Sequence, residues 1–218
     1  MEGNMDFLWQ ESAGGRRGPK KALSLDAIAD AAIVIADAEG LAAVSMQRVA
    51  AEVGFTKMAL YRYLPGKSEL VAVMLERGMG VPPEMSAGDW RAALTRWSES
   101  LISVFVAHPW AIEASAGNRP IGPNELTWME AALAVLPEGL SGAERMDAVA
   151  VIAGQVRALV VQPSESGLLT AITEHAARFP AISAAIADIA VHGGHDQAFH
   201  FGLERILDGL EALITQRV

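Results

Sequence analysis

The sequence predicts an all-α protein, and three observations carry that reading. Apolar residues make up 51% of the 218 positions while aromatics supply only 6%, and the abundance of Ala, Leu and Met favours helix over sheet. From Leu25 onward, apolar side chains recur at three- and four-residue spacing without any stretch of strict alternation. Capping and breaking residues stand where those stretches begin and end. With half the chain apolar and 20% of it charged, bulk disorder is excluded. The absence of cysteine removes thiol nucleophiles, disulfides and thiolate metal sites, and fits a reducing compartment. Apolar runs are interrupted by Asp30 and Asp37 or by Arg157, short of the roughly 20 residues a membrane span needs. The opening MEGNMDFLWQE carries acids where a secretory signal carries bases, so a cytoplasmic protein is expected.

The elements follow in order. Residues 1–22 hold Gly14-Gly15, Gly18-Pro19 and the cluster Arg16, Arg17, Lys20, Lys21 without apolar periodicity, which reads as a flexible basic arm. A first helix starts after Ser24, points Leu25, Ile28, Ala29, Ala32, Ile35 and Ala36 inward, and stops at Gly40. A second starts at Ser45, with Met46, Val49, Ala50 and Val53 inward, and turns at Gly54-Phe55. A third runs from Thr56 to about Leu64, where Pro65-Gly66 ends it. A fourth opens at Lys67, buries Leu70, Val71, Met74 and Leu75, and reaches Gly78-Met79-Gly80. The pair Pro82-Pro83 is the best domain boundary, separating 23–80 from 84–218. Beyond it, helices are expected at about 89–107, 109–117, 124–136, 142–162, 168–178, 181–191 and 196–216. Ser141 with Glu144 has capping-box spacing, and Pro123 suits a first helical position.

Charge is unevenly distributed. The net charge is −9, yet residues 1–80 hold nine Lys/Arg against ten Asp/Glu, and all four lysines (Lys20, Lys21, Lys57, Lys67) lie there. A polyanion partner draws on local positive charge, so the N-terminal third is where one would be met. Within it, SMQRVAAEVGFTKMALYRYL reads as two short helices crossing at a tight turn, with Ala50 and Gly54 permitting close approach. Val49, Val53, Phe55 and Leu60 are expected to form its small core. That leaves Thr56, Lys57, Met58, Tyr61 and Arg62 on the exposed side of the second helix, a mixture of donors and aromatic surface suited to a major groove.

The run AEVGFTKMALYRYLPGKSELV resembles the helix-turn-helix of TetR-type bacterial transcription regulators, with Gly54, Leu60-Tyr61, Tyr63 and Lys67 at the hallmark places. DWRAALTRW, HPWAIE, GNRP and FGLERILDGLEALI resemble the tetracycline-repressor-type C-terminal domain, so the likeness extends over about residues 24–216. It implies an N-terminal three-helix DNA-binding domain (23–80) and a larger effector-binding and dimerisation domain (84–218). It also implies a homodimer, most often a repressor, that binds a palindromic double-stranded operator and releases it when a small-molecule effector binds. By position, the resemblance assigns Gln47, Thr56, Lys57, Met58 and Tyr61 to bases or nearby phosphates. Ser45, Tyr63 and Lys67 would hold the DNA backbone, which sets register without reading sequence, and Arg48 and Arg62 would meet phosphates. The arm at 16–21 either follows a minor groove or is a solvated tail.

Two further sites are expected. Trp90, Trp97, Trp110 and Trp128 lie close in sequence to Phe105, His108, Glu113, Asn118 and Met129, an apolar composition with a few polar groups that suits an effector pocket, with core filling as the alternative reading of each tryptophan. Aligning on Gly117-Asn118-Arg119-Pro120 puts Ser115 where tetracycline-binding relatives place a magnesium-coordinating histidine, so the resemblance implies a different, largely apolar effector. Apolar stripes on two helices, Val149, Ile152 and Val156 on one and Leu203, Ile206, Leu207, Leu210 and Leu213 on the other, are either intramolecular core or a dimer interface of four helices. His192, His195 and His200 have spacing that zinc or nickel would accept, but sit in and around a Gly-Gly loop that favours solvation, and no metal or cofactor is expected. No Gly-x-Ser-x-Gly, phosphate loop or His-Glu-x2-His is present, so no enzyme is expected. The alternative function is a helical ligand-binding or protein-interaction module without DNA binding, which salt-dependent DNA binding distinguishes.

Overall fold

The computed structural model describes residues 6–9, 23–86, 88–116, 119–161, 165–193 and 197–217, and among them every regular element is helical. Packing divides the chain into two units, Met1–Pro137 and Glu138–Val218. The basic arm expected at 16–21 lies outside the described residues. No described helix is long and apolar enough to cross a membrane.

In the first unit, the short α1 (Asp6–Trp9) precedes α2 (Leu25–Glu39). Ser24 caps α2 by accepting from the Ala27 N–H at 3.1 Å, and Gly40 ends it at φ 82°. Of the face predicted for α2, Ile28, Ala29, Ala32, Ile35 and Ala36 are buried, while Leu25 at the first turn is half-buried. The hydroxyl of Ser45 accepts from Arg48 N–H at 3.2 Å to start α3 (Met46–Val53). Gly54 closes α3 in the left-handed region (φ 77°, ψ 31°), with Gly54 N–H bonding to Ala51 and Phe55 N–H to Ala50. This is the paired bonding of a Schellman turn, which any residue with a Cβ would strain. The helix after that turn, α4 (Lys57–Leu60), is shorter than the sequence suggests. Ahead of Pro65, Arg62 and Tyr63 make i→i+3 bonds to Ala59 and Leu60, which tighten the chain into turns before the proline forbids more helix.

The small core holds a second correction. Val44, Val49, Leu60, Leu64 and Leu70 are essentially fully buried, whereas Phe55, expected inside, is 37% exposed and Val53 half-buried. The Schellman turn uses Phe55 for its backbone N–H, and the leucines of the following turns occupy the interior instead. Helix α5 (Lys67–Met79) then packs on α2, and Arg77 binds Asp30 and Asp26 across that contact.

Three more helices complete the unit: α6 (Trp90–Ala107), α7 (Trp110–Ala114) and α8 (Pro123–Val135). Asp89 caps α6, and Pro123 occupies the first turn of α8. Both α6 and α5 pack on α8.

The second unit contains α9 (Gly142–Val160), α10 (Glu165–Glu174), α11 (Pro180–His192) and α12 (Ala198–Thr215), with α12 lying on α9. Helix α10 ends at Glu174, and a 3-10 turn at Ala176–Arg178 takes up the chain before Pro180. The capping box at Ser141 and Glu144 is present. Glu144 also receives both Arg217 guanidinium nitrogens, at 2.7 and 2.8 Å. The Arg217 hydrogen bonds, then the Ser141 donors, hold the Glu144 carboxyl down at about 2. A depressed carboxylate contributes stability that is full above the unfolded value near 4.5 and is lost as pH falls toward 2. Glu144→Gln should therefore lower the urea midpoint at pH 7, and the gap to the parent protein should close between pH 4.5 and 2. A gap that stays constant across that range would refute the assignment.

Candidate nucleic-acid interface

The exposed face of α4 is set by the cap that starts the helix. Thr56 Oγ1 accepts the Ala59 N–H at 3.3 Å, which orients α4 so that Leu60 is fully buried and Lys57, Met58, Tyr61 and Arg62 are exposed. Lys57 Nζ lies 5.4 Å from the centre of the Tyr61 ring, within range of a cation–π contact that pre-positions both side chains. Gln47 and Ser45 are exposed on the neighbouring α3.

Other side chains expected at a DNA backbone are engaged within the chain. Tyr63 Oη donates to the Leu23 carbonyl at 2.7 Å, and Lys67 Nζ donates to the Leu41 carbonyl at 3.2 Å. These bonds tie the turn after α4 to the chain entering α2, and the start of the next helix at Lys67 to the chain leaving α2. Arg48 grips both carboxylate oxygens of Glu39. That bidentate bond lowers the Glu39 pKa and raises that of Arg48, so much of the Arg48 charge is balanced before any phosphate arrives. Charge read from the sequence does not reveal these partners.

Behind the head, two joints tie it to α6–α8. At the first, Asp37 Oδ1 of α2 accepts from Trp110 Nε1 at 2.6 Å and meets His108 Nδ1 at 2.8 Å. The two rings lie 5.6 Å apart over Gly78 of α5, where an added Cβ would come within 3.3 Å of Trp110 and 3.4 Å of His108. At the second, Glu76 of α5 accepts the Asn124 N–H at 2.6 Å, and Asn124 Nδ2 returns a bond to the Glu76 carbonyl at 2.9 Å. The carboxylate thus caps the N-terminus of α8, a favourable place for negative charge. Burial pushes its pKa up, while the Asn124 and Glu125 N–H groups pull it back. A Cβ at Gly122 would lie 2.1 Å from Glu76 Oε2, so a larger residue there would force the Glu76 carboxylate to shift. Asp37, Glu76 and Gly122 were not singled out from sequence. Their partners lie 46 to 73 residues away, and no local pattern marks them.

The tryptophans expected around an effector separate into two groups. Trp97 and Trp128 are 3% exposed, pack edge to face at 5.8 Å, and are hydrogen-bonded through Nε1 to the carbonyls of Trp128 and Gly80. Phe105 is buried with them in the unit's interior, Met129 is half-buried and Glu113 exposed, and Trp110 and His108 face Asp37. Asn118 lies outside the described residues. Trp90 does line a cavity of about 470 Å³, with Pro83 and Met85 from the preceding loop and Ala131, Ala134 and Val135 from α8. Arg119, whose guanidinium makes two bonds to Glu125 at 2.6 and 2.7 Å, fixes the segment before α8.

In the second unit, five of the eight stripe residues (Val149, Ile152, Val156, Leu203, Leu207) are buried where α12 meets α9. Ile206, Leu210 and Leu213 are half-buried. Met146 and Val151 on α9 and Phe201 on α12 are exposed. His192 pairs with Asp188 at 3.0 Å, and His200 packs on Phe199; His195 lies outside the described residues. No group of three or more potential metal ligands occurs among the described residues.

Comparison with known proteins agrees with this architecture. Residues 28–74 match the family described as bacterial regulatory proteins, tetR family, and residues 82–214 match the tetracyclin repressor-like C-terminal domain. The HTH-type transcriptional repressor DrrR1 of Streptomyces coeruleorubidus is 36% identical over 236 residues, covering 98% of this chain and 86% of that protein. Among solved structures, apo ActR from Streptomyces coelicolor superposes with a TM-score of 0.77 at 27% identity, over 91% of this chain and all of that one. ActR in complex with actinorhodin gives 0.72 at 25% identity, over 88% of this chain and 97% of that one.

Proposed function

The chain belongs to the TetR family of bacterial transcription regulators, and from that premise we propose that it is a repressor, not an enzyme, which holds a palindromic operator as a homodimer in the cytoplasm and releases it on binding a small-molecule effector. The observation that carries this reading is the exposed face of α4, where Lys57, Met58 and Tyr61 stand together with no role in the core. Thr56, Gln47 and Arg62 flank it; Ser45, Tyr63 and Lys67 act chiefly by bracing the head, and Arg48 contributes in balance with Glu39. Residues 23–80 form the reading head and 84–218 the effector and dimer domain, with 1–22 as a basic arm; two separate family matches, one ending at residue 74 and the next beginning at residue 82, support the division between head and effector domain. Dimerisation through α9 and α12 is supported by the exposed Met146, Val151 and Phe201.

The effector enters the cavity bounded by Trp90, Met85 and α8, whose walls are mostly apolar, so a largely apolar molecule with few polar groups fits best. Support for coupling comes from the two sides of α8. One carries Ala131, Ala134 and Val135 on the cavity; its first turns hold α5 through Asn124 with Glu76 and Trp128 with Gly80. A ligand that moves α8 thereby moves the end of α5 and the head it carries, and the shift is as large as the ligand's differential affinity for the two states.

Selection of bound duplexes from a random DNA library, followed by salt titration, tests the reading. A palindromic site with a steep salt slope is expected, and Lys57→Ala and Tyr61→Ala should each weaken it at least tenfold, the order of one good base contact. No enrichment at low salt would remove DNA binding and leave a helical ligand-binding or protein-interaction module.

A further inference from the structure

We infer that Met58 reads a thymine methyl group, so that each operator half-site carries a thymine opposite the second residue of α4. The inference rests on the DNA-binding reading above and adds a base identity to it. Met58 is 72% exposed, which for an unbranched apolar chain is a large area left in water. The positions around it are already occupied with other tasks: the Thr56 hydroxyl accepts the Ala59 N–H, Lys57 lies over Tyr61, and Leu60 is fully buried. No polar atom on Met58 competes for the hydrogen-bonding edges of a groove. An apolar side chain pressed against those edges strips their water and returns nothing, except at one place. The C5 methyl of thymine is the sole apolar group on the major-groove edge of a base pair. A helix presents its first residues to those edges, and the second residue of α4 is where the exposed methionine stands. The flexible thioether adapts to the methyl without demanding a fixed rotamer.

Deoxyuridine, which lacks that methyl and keeps every hydrogen-bonding group, supplies the test. With the operator obtained by selection, each thymine is replaced in turn by deoxyuridine, and affinity is measured for the parent protein and for Met58→Ala. At one symmetry-related position per half-site, the parent should lose about fourfold, the worth of one buried methyl. Met58→Ala should bind more weakly than the parent and show no loss there. Deoxyuridine tolerated at every position, or an equal loss in Met58→Ala, would overturn the inference while leaving DNA binding intact. Failure to select any duplex would overturn both, and is distinguished because it precedes the deoxyuridine series. Met58 is exposed, so the variant folds as the parent does; its unfolding midpoint checks this.

Discussion

Trp128→Ala should lower the stability of the protein by about 3–5 kcal/mol, the usual loss when a buried aromatic is truncated to alanine, against a total of roughly 5–15 kcal/mol for a domain. The ring is 3% exposed, packs edge to face with Trp97 at 5.8 Å between ring centres, and uses its Nε1 to hold the Gly80 carbonyl at 3.1 Å. Alanine removes all three interactions and opens a cavity next to the linker between α5 and α6. The bond from Trp97 Nε1 runs to the backbone carbonyl of residue 128, so it survives the substitution and limits how far the site collapses. Trp128→Phe separates the contributions, because it keeps most of the apolar volume and leaves the Gly80 carbonyl without its donor, a loss of about 1–3 kcal/mol. Urea unfolding followed by circular dichroism measures both. If Trp128 served only to touch a ligand in an open pocket, the alanine variant would unfold at the parent's midpoint, and that outcome would refute its place in the core.

Features governed by local chemistry were legible in the sequence. Ser24, Gly40, Ser45, Gly54 and the Ser141/Glu144 pair announce helix ends because each satisfies backbone groups within a few residues of itself. The buried face of α2 followed from spacing alone. Phe55 failed for a related reason. Hydrophobicity argues for burial, but at a helix end the turn's backbone bonds decide where the side chain goes, and here Leu60 and Leu64 fill the interior in its place. The tryptophans show a different ambiguity, since an aromatic cluster with scattered polar groups describes a core and a ligand pocket equally well. Only the acceptors found for the indole nitrogens of Trp97, Trp110 and Trp128 tell them apart. The partners of the cations were not legible: Lys67 bonds to a carbonyl 26 residues away and Arg48 to a carboxylate nine residues away, and no local spacing announces either.

Those long-range partners lead to the second large effect, at Asp37. Asp37→Ala should weaken operator affinity several-fold and cost about 1–3 kcal/mol of stability, because it strands a donor on Trp110, which is only 4% exposed. The carboxylate accepts from that indole and also meets His108, so one substitution releases both rings from α2. The bare Gly78 beneath the rings offers no side chain to hold them. The head would then sample more orientations relative to α6 and α7, and binding would pay for restoring the one that fits successive grooves. No lysine or arginine is altered by this change. The slope of log affinity against log salt should therefore stay that of the parent while the affinity itself drops, which separates a positioning defect from a lost DNA contact. Asp37→Asn retains an oxygen acceptor for Trp110 Nε1 and should recover most of the affinity. Parent-like binding by Asp37→Ala would show that the head is oriented without this joint, leaving Glu76 and Asn124 as the connection through which α8 acts.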